Sequence, residues 1–257
     1  MANIPGAVTD PGRVRGESIQ FRSGGDSIPG YLAQPSQPGA HPGIVVIHEA
    51  FGLVEHIRDL ARRFANIGFN ALAPDLYARA GAPDPNDMGS VFPKMFGLPD
   101  AQAVRDLEAA AAHLRGLPGA TQKIGAIGFC SGGRQTLLFA CSSDKVDAAI
   151  DCWGGFIARA TPDAVTTESR PTPILDMVDR LHCPLFGVFG EEDQNPTVAE
   201  SEELRERAQR AGKEVTVKVY AGAGHAFLAD YRPSYREGPA FQLWTDIVAF
   251  FERHLKQ

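Results

Sequence analysis

The sequence predicts an α/β fold in which a mostly parallel sheet is flanked by helices on both faces. Short β-branched or apolar runs alternate with amphipathic stretches along the chain, the pattern of strand–helix–strand units. Several runs, such as Gly43-Ile44-Val45-Val46-Ile47-His48, are apolar throughout rather than at every second residue, as expected of strands covered on both sides. No repeat, low-complexity tract or composition shift divides residues 1–257, so they read as one domain. Pro5, Gly6, Pro11 and Gly12 interrupt any pattern in residues 1–15, which are expected to be an extended N-terminal segment.

Ser18-Ile19-Gln20-Phe21 and Tyr31-Leu32-Ala33, separated by a Gly/Asp/Ser/Pro turn, predict an opening hairpin. After the strand at residues 43–48, Ile57, Leu60, Ala61, Phe64 and Ala65 recur at helical spacing until Gly68 stops the helix. Residues 69–74 form the next strand. The Pro- and Gly-rich residues 80–99 predict an irregular excursion over the surface. A helix follows over residues 100–114, capped by Asp100. Further strands are expected at residues 124–129, 148–153, 185–189 and 215–220, with helices at 196–211 and 238–255.

Composition narrows the function classes. A formal net charge of −6, with no cluster of Lys and Arg, argues against a nucleic-acid partner. No secretory signal and no apolar run long enough to span a membrane are visible. Cys130, Cys141, Cys152 and Cys183 contain no C-x-x-C pair, which fits free thiols in a reducing, cytoplasmic setting and no metal site.

The chemistry-bearing motif is Gly128-Phe129-Cys130-Ser131-Gly132, a G-x-C-x-G form of the nucleophile elbow of the α/β-hydrolase fold, between a predicted strand and a helix. The central residue of such a turn is strained and exposed, and both glycines avoid collisions with neighbouring backbone. A thiol at a helix N-terminus is also favoured as thiolate. Ser131 lacks the first glycine of the frame, because Phe129 stands there. A structural cysteine in a tight turn is the plainer alternative; the spacing Gly125-x-x-Gly128, without G-x-G-x-x-G, argues against a dinucleotide loop.

Partners follow in the order such a site needs. Asp193 lies after the strand at 185–189, and His225 lies in Ala221-Gly222-Ala223-Gly224-His225 after the last strand. His225 is the expected base and Asp193 its orienting acid, although Glu191 or Glu192 could take that part and leave Asp193 a helix cap. His48-Glu49 begins an H-E-x-x-H pattern, but Gly52 ends it, so no zinc-protease site is predicted. His113, His182 and His254 read as surface residues.

With these residues assembled, the chain resembles the dienelactone hydrolase (carboxymethylenebutenolidase) family. The similarity runs from about Ser18 onward. It rests on His48-Glu49-Ala50-Phe51-Gly52, Ala73-Pro74-Asp75-Leu76-Tyr77-Ala78-Arg79, the Cys130 elbow and Gly224-His225-Ala226-Phe227. The resemblance implies that Glu49 keeps the resting thiol neutral and helps to deprotonate it when substrate binds. It implies an oxyanion hole from the backbone N–H groups of Ser131 and Ala50, and an Arg79 that binds a substrate carboxylate. One position departs: the family's second anion-binding arginine, in G-H-x-F-x-R, is Ala229 here, with Arg232 three residues later as its possible replacement.

The expected activity is hydrolysis of a small, carboxylate-bearing lactone or ester through Cys130, with no cofactor or metal. The expected assembly is a monomer or small homo-oligomer. A broader carboxylesterase or thioesterase, and a non-catalytic ligand-binding scaffold, are the alternatives. Residues 80–99 and 154–180 are expected to line the pocket.

Overall fold

A single eight-stranded sheet in the order β1-β2-β4-β3-β5-β6-β7-β8 runs through the molecule. The structure is a computed structural model that describes residues 4–158 and 166–256. The strands are β1 (Val14–Ser23), β2 (Asp26–Pro35), β3 (His41–Ile47), β4 (Asn70–Pro74), β5 (Ala120–Phe129), β6 (Ala148–Cys152), β7 (Leu185–Gly190) and β8 (Val215–Tyr220). Only β2 runs antiparallel to its neighbours β1 and β4; every other pairing is parallel.

Six α-helices are present among the described residues: α1 (Glu55–Asn66), α2 (Met88–Gly97), α3 (Asp100–Arg115), α4 (Ser131–Ser142), α5 (Val198–Arg210) and α6 (Glu237–Leu255). They divide between the two faces of the sheet. Val45 and Ile47 of β3 pack with Leu107 and Leu114 of α3 and Leu137 of α4. Ile44 and Val46 point the other way, to Leu60 and Phe64 of α1 and Ile247 and Phe251 of α6. That split explains why residues 44–47 of β3 are apolar without a break: each of these side chains is removed from water, at roughly 1.5–3 kcal/mol for a fully buried Val or Ile.

The structure differs from the sequence-based expectation in places where local signals compete. Residues 80–99 are not irregular throughout, since they contain α2. Asp87 caps it by accepting from the Gly89 N–H at 2.9 Å, and Pro93 lies inside it. Gly89, Pro93 and Gly97 mask the helix in the sequence, and Val91 and Met95 hold it against Ala50. The N-terminal segment is tied down: the Pro5 carbonyl accepts from Arg63 at 3.2 Å, and a 3-10 turn at Pro11–Arg13 leads into β1. Residues 1–3 of that segment lie outside the described residues. α5 begins at Val198, because Thr197 and Glu200 form a reciprocal capping box. No described helix is long and apolar enough to cross a membrane.

Asp151, in the middle layer of the sheet, is fully buried. One carboxylate oxygen accepts from Gly154 N–H at 2.9 Å, and the other has no partner among the described residues. Burial pushes its pKa up to about 7, against the opposing pull of the Gly154 hydrogen bond. Because the folded value lies above the ordinary 3.8, the contribution of Asp151 to stability is greatest in acid and is lost as pH rises from about 4 to about 7. Asp151→Asn keeps an oxygen for Gly154 and removes the titration. Thermal melts should therefore show the variant more stable than the parent at about pH 8, with the gap closing towards about pH 5; a gap independent of pH would exclude this account.

Candidate active site

The carboxyl ends of the parallel strands converge on Cys130. β5 delivers the chain into α4 through this residue, which takes φ 56, ψ −119. Cys130 N–H donates to the Cys152 carbonyl at 3.0 Å, and its own carbonyl accepts from Arg134 N–H at 3.2 Å. A Cβ on Gly128 would strike the Gly132 carbonyl, and one on Gly132 would strike the carbonyls of Ile47 and His48. Both glycines of the predicted elbow are thus demanded by close backbone approach. Cys130 is half-buried, and the other three cysteines are buried and free. Burial pushes the thiols of Cys141 and Cys183 up to about 12, as befits packed rather than reactive groups.

His225 lies over this turn. Its Nδ1 is 2.8 Å from Oδ2 of Asp193, which leaves Nε2 for Cys130. Burial works to lower its pKa. The hydrogen bond to Asp193 and the one to Cys130 together outweigh burial, and the value rises to about 10. Asp193 is buried, and its other oxygen accepts from Asn195 N–H at 3.0 Å. The neighbouring acids are occupied elsewhere or exposed: Glu191 accepts from Gly222 N–H at 2.9 Å, and Glu192 faces solvent. Geometry therefore selects Asp193 from the three candidates. Behind the imidazole stands Trp153, with ring centroids 6.5 Å apart.

The loop after β3 closes the other side. His48 is buried; its Nε2 accepts from Leu76 N–H at 3.1 Å, so Nδ1 carries the proton and donates to the Glu49 carbonyl at 2.7 Å. This neutral imidazole, its pKa lowered by burial, braces the loop rather than binding a metal. The N–H groups of Ala50 and Ser131 have no acceptor among the described residues, and both residues line the cleft beside Cys130. Glu49 is 1% exposed, and burial raises its pKa despite Arg232, His225 and Tyr231 nearby. Its Oε2 is held by the Tyr231 hydroxyl and by Arg232 Nη2, each at 3.2 Å. Arg232 also stacks over Phe51, 4.6 Å from the ring centroid. Arg232, the possible substitute for the arginine missing at Ala229, thus lines the cleft.

Arg79 does not. Its guanidinium makes a two-pronged ion pair with buried Asp106, at 2.6 and 3.0 Å, and a third contact to Asp26 at 2.7 Å. It lines a separate depression with Pro93 and Gln102, not the cavity at Cys130. The expectation that it meets a substrate carboxylate is corrected here: two carboxylates of the chain already neutralise it. The cavity at Cys130 has a volume of about 420 Å³. As anticipated, both long loops contribute to its wall, through Met88, Phe92 and Met95 from one and Gly155, Phe156 and Arg170 from the other; residues 159–165 lie outside the described residues. Two arginines in the wall were not foreseen. Arg134 is buried and forked onto Asp100 at 2.7 and 3.1 Å, the one charge on an otherwise uncharged helix, which could have been noticed. Arg170, in Ser169-Arg170-Pro171, carries no local signal. Tyr77, in the segment quoted for the family resemblance, is buried against His48, with ring centroids 4.7 Å apart.

A family model described as "Dienelactone hydrolase family" matches residues 28–255. The chain belongs to the dienelactone hydrolase family. Family members named "Putative carboxymethylenebutenolidase" include one from Methylorubrum extorquens, 39% identical over 88% of this chain and 77% of its own length. Another, from Salmonella typhimurium, is 34% identical over 96% of this chain and 90% of its own. A crystal structure titled as a "Putative Dienelactone Hydrolase", from Klebsiella pneumoniae, superposes with a TM-score of 0.86 at 33% identity and covers 93% of this chain and 99% of that one. Membership of the dienelactone hydrolase family makes this chain a hydrolase acting on ester or lactone bonds, with the α/β-hydrolase fold.

The pairing of Arg79 gives a stability prediction. Arg79→Met leaves Asp106, which is 0% exposed, with the Ser23 hydroxyl as its one partner among the described residues. Urea unfolding should show a loss of about 3 kcal/mol, while KM for anionic esters stays put; a raised KM with unchanged stability would restore Arg79 to substrate binding.

Proposed function

We propose that this enzyme hydrolyses a small, carboxylate-bearing lactone or ester through a Cys130–His225–Asp193 triad. The observation that carries the reading is His225, held at 2.8 Å by buried Asp193 and lining the same cavity as a thiol on a strained strand-to-helix turn. His225 takes the Cys130 proton, and Sγ attacks the carbonyl carbon. The oxygen of the tetrahedral intermediate receives hydrogen bonds from the N–H groups of Ala50 and Ser131, which have no other acceptor among the described residues. As the C–O bond breaks, His225 protonates the leaving oxygen and a thioester remains. Water, deprotonated by His225, then attacks that thioester and expels the thiolate, releasing the acid.

Glu49 acts on the thiol proton. Burial raises its pKa and so favours its protonated form. A substrate anion in the cavity weakens the hold of Arg232 on Glu49, and the loosened Glu49 carboxylate helps His225 to take the thiol proton. The charge of the substrate is thereby linked to the protonation state of its attacker.

Cys130→Ala should lower kcat by about a thousandfold or more on p-nitrophenyl esters and on unsaturated carboxy-lactones. Ser131→Ala must cost far less. Iodoacetamide should label Cys130 and inactivate the enzyme, and a carboxylate-bearing substrate should slow the labelling. Full activity in Cys130→Ala would overturn the thiol mechanism.

A further inference from the structure

The mechanism above makes no use of Arg170, which lines the same cavity as Cys130 and His225. One Nη donates to the Met95 carbonyl, and the face of the guanidinium lies 5.0 Å from the centroid of Phe96. Its Nε is buried and has no hydrogen-bond partner among the described residues. Among the described residues no carboxylate makes an ion pair with it, because the nearby Asp100 is taken by both prongs of Arg134. A buried cationic donor with nothing to donate to is costly unless a ligand completes it. Burial and the like charge of Arg134 lower its pKa to about 10, which still leaves it charged at neutral pH.

The surroundings specify the ligand. Apart from Arg134, whose charge Asp100 cancels, the wall near Arg170 is Met88, Phe92, Met95 and Phe156. A second guanidinium, Arg232, belongs to the same cavity but is shared with Glu49. A guanidinium with a free Nε–H is suited to a planar oxyanion, and its apolar neighbours are suited to a short hydrocarbon chain.

We propose that Arg170 is the anchor for the substrate's carboxylate, so that the enzyme prefers esters and lactones whose acyl portion is a short apolar chain ending in a carboxylate. This rests on the hydrolase reading above and assigns its anion site to Arg170 in place of Arg79.

The full-length enzyme can be assayed with two esters that share a leaving group, p-nitrophenyl butyrate and mono-p-nitrophenyl glutarate. The ratio of kcat/KM for the anionic ester over the neutral one should fall about tenfold to a hundredfold in Arg170→Gln, the worth of one charge-assisted hydrogen bond. Arg170→Lys should recover only part of it, since an ammonium cannot offer the same planar fork. Glutarate itself, titrated by calorimetry, reads the site without turnover and should bind the parent and lose affinity by a similar factor in Arg170→Gln. An unchanged kcat/KM ratio, or glutarate binding indifferent to Arg170, overturns the assignment even where both esters are cleaved. Failure of the parent to cleave either ester, with Arg170-dependent glutarate binding intact, would instead sink the hydrolytic mechanism and uphold the anion site.

Discussion

Cys130 is held at φ 56 by two backbone hydrogen bonds, and the chain around it can pack only because Gly128 and Gly132 carry no side chain. A residue with a Cβ in that conformation costs on the order of 1–3 kcal/mol and persists only where its surroundings over-determine it. Here they do. Gly132 sits against the carbonyls that end β3, and Cys130 N–H is tied to the end of β6. Three strands of the sheet therefore meet at one turn. Residues 132–141 of α4 are all buried, so the helix leads inward from that turn and cannot relax away from it.

Charge is arranged around the turn with equal economy. Asp193 is buried and spends one oxygen on His225 and the other on its own loop. Glu49 is buried and answered by Arg232 and Tyr231. The loop carrying Arg232 is pinned in turn, since Asp230 is bound by buried Arg63 of α1, which also reaches Pro5 near the N-terminus. Placing one guanidinium in the cleft thus draws on α1, the N-terminal segment and the loop after β8. Arg134 and Asp100 satisfy each other, and Arg170 stands beside them with no ion pair among the described residues. The cleft carries an excess of unanswered positive charge in an apolar wall, which is the condition for holding an anion out of water.

Strands buried on both faces were legible because their patterning is one-dimensional: residues 44–47 of β3 are all apolar, whichever neighbour they meet. The helices with apolar residues at helical spacing, α1 and α3, were legible for the same reason. α2 was hidden by Gly89, Pro93 and Gly97; its cap at Asp87 and the burial of Val91 and Met95 outweigh its poor propensity. β1 extends to Val14, beyond the Ser18 start read from alternation, because pairing with β2 continues where side-chain pattern does not.

The sequence by itself determined the elbow and its partners in order, Cys130, Asp193 and His225, because a strained turn and a Gly-rich loop leave their mark in adjacent residues. It also determined the class of fold. The tertiary structure decided among Asp193, Glu191 and Glu192, since only one of the three adjacent acids is aimed at the imidazole. It moved Arg79 out of the cleft and brought Arg134, Arg170 and Arg232 in. A charged side chain looks the same in sequence whether a carboxylate 27 residues away has claimed it, as Asp106 claims Arg79, or nothing has. Which charges are answered depends on neighbours brought together only by folding, and so the anion site could be read only from the assembled cleft.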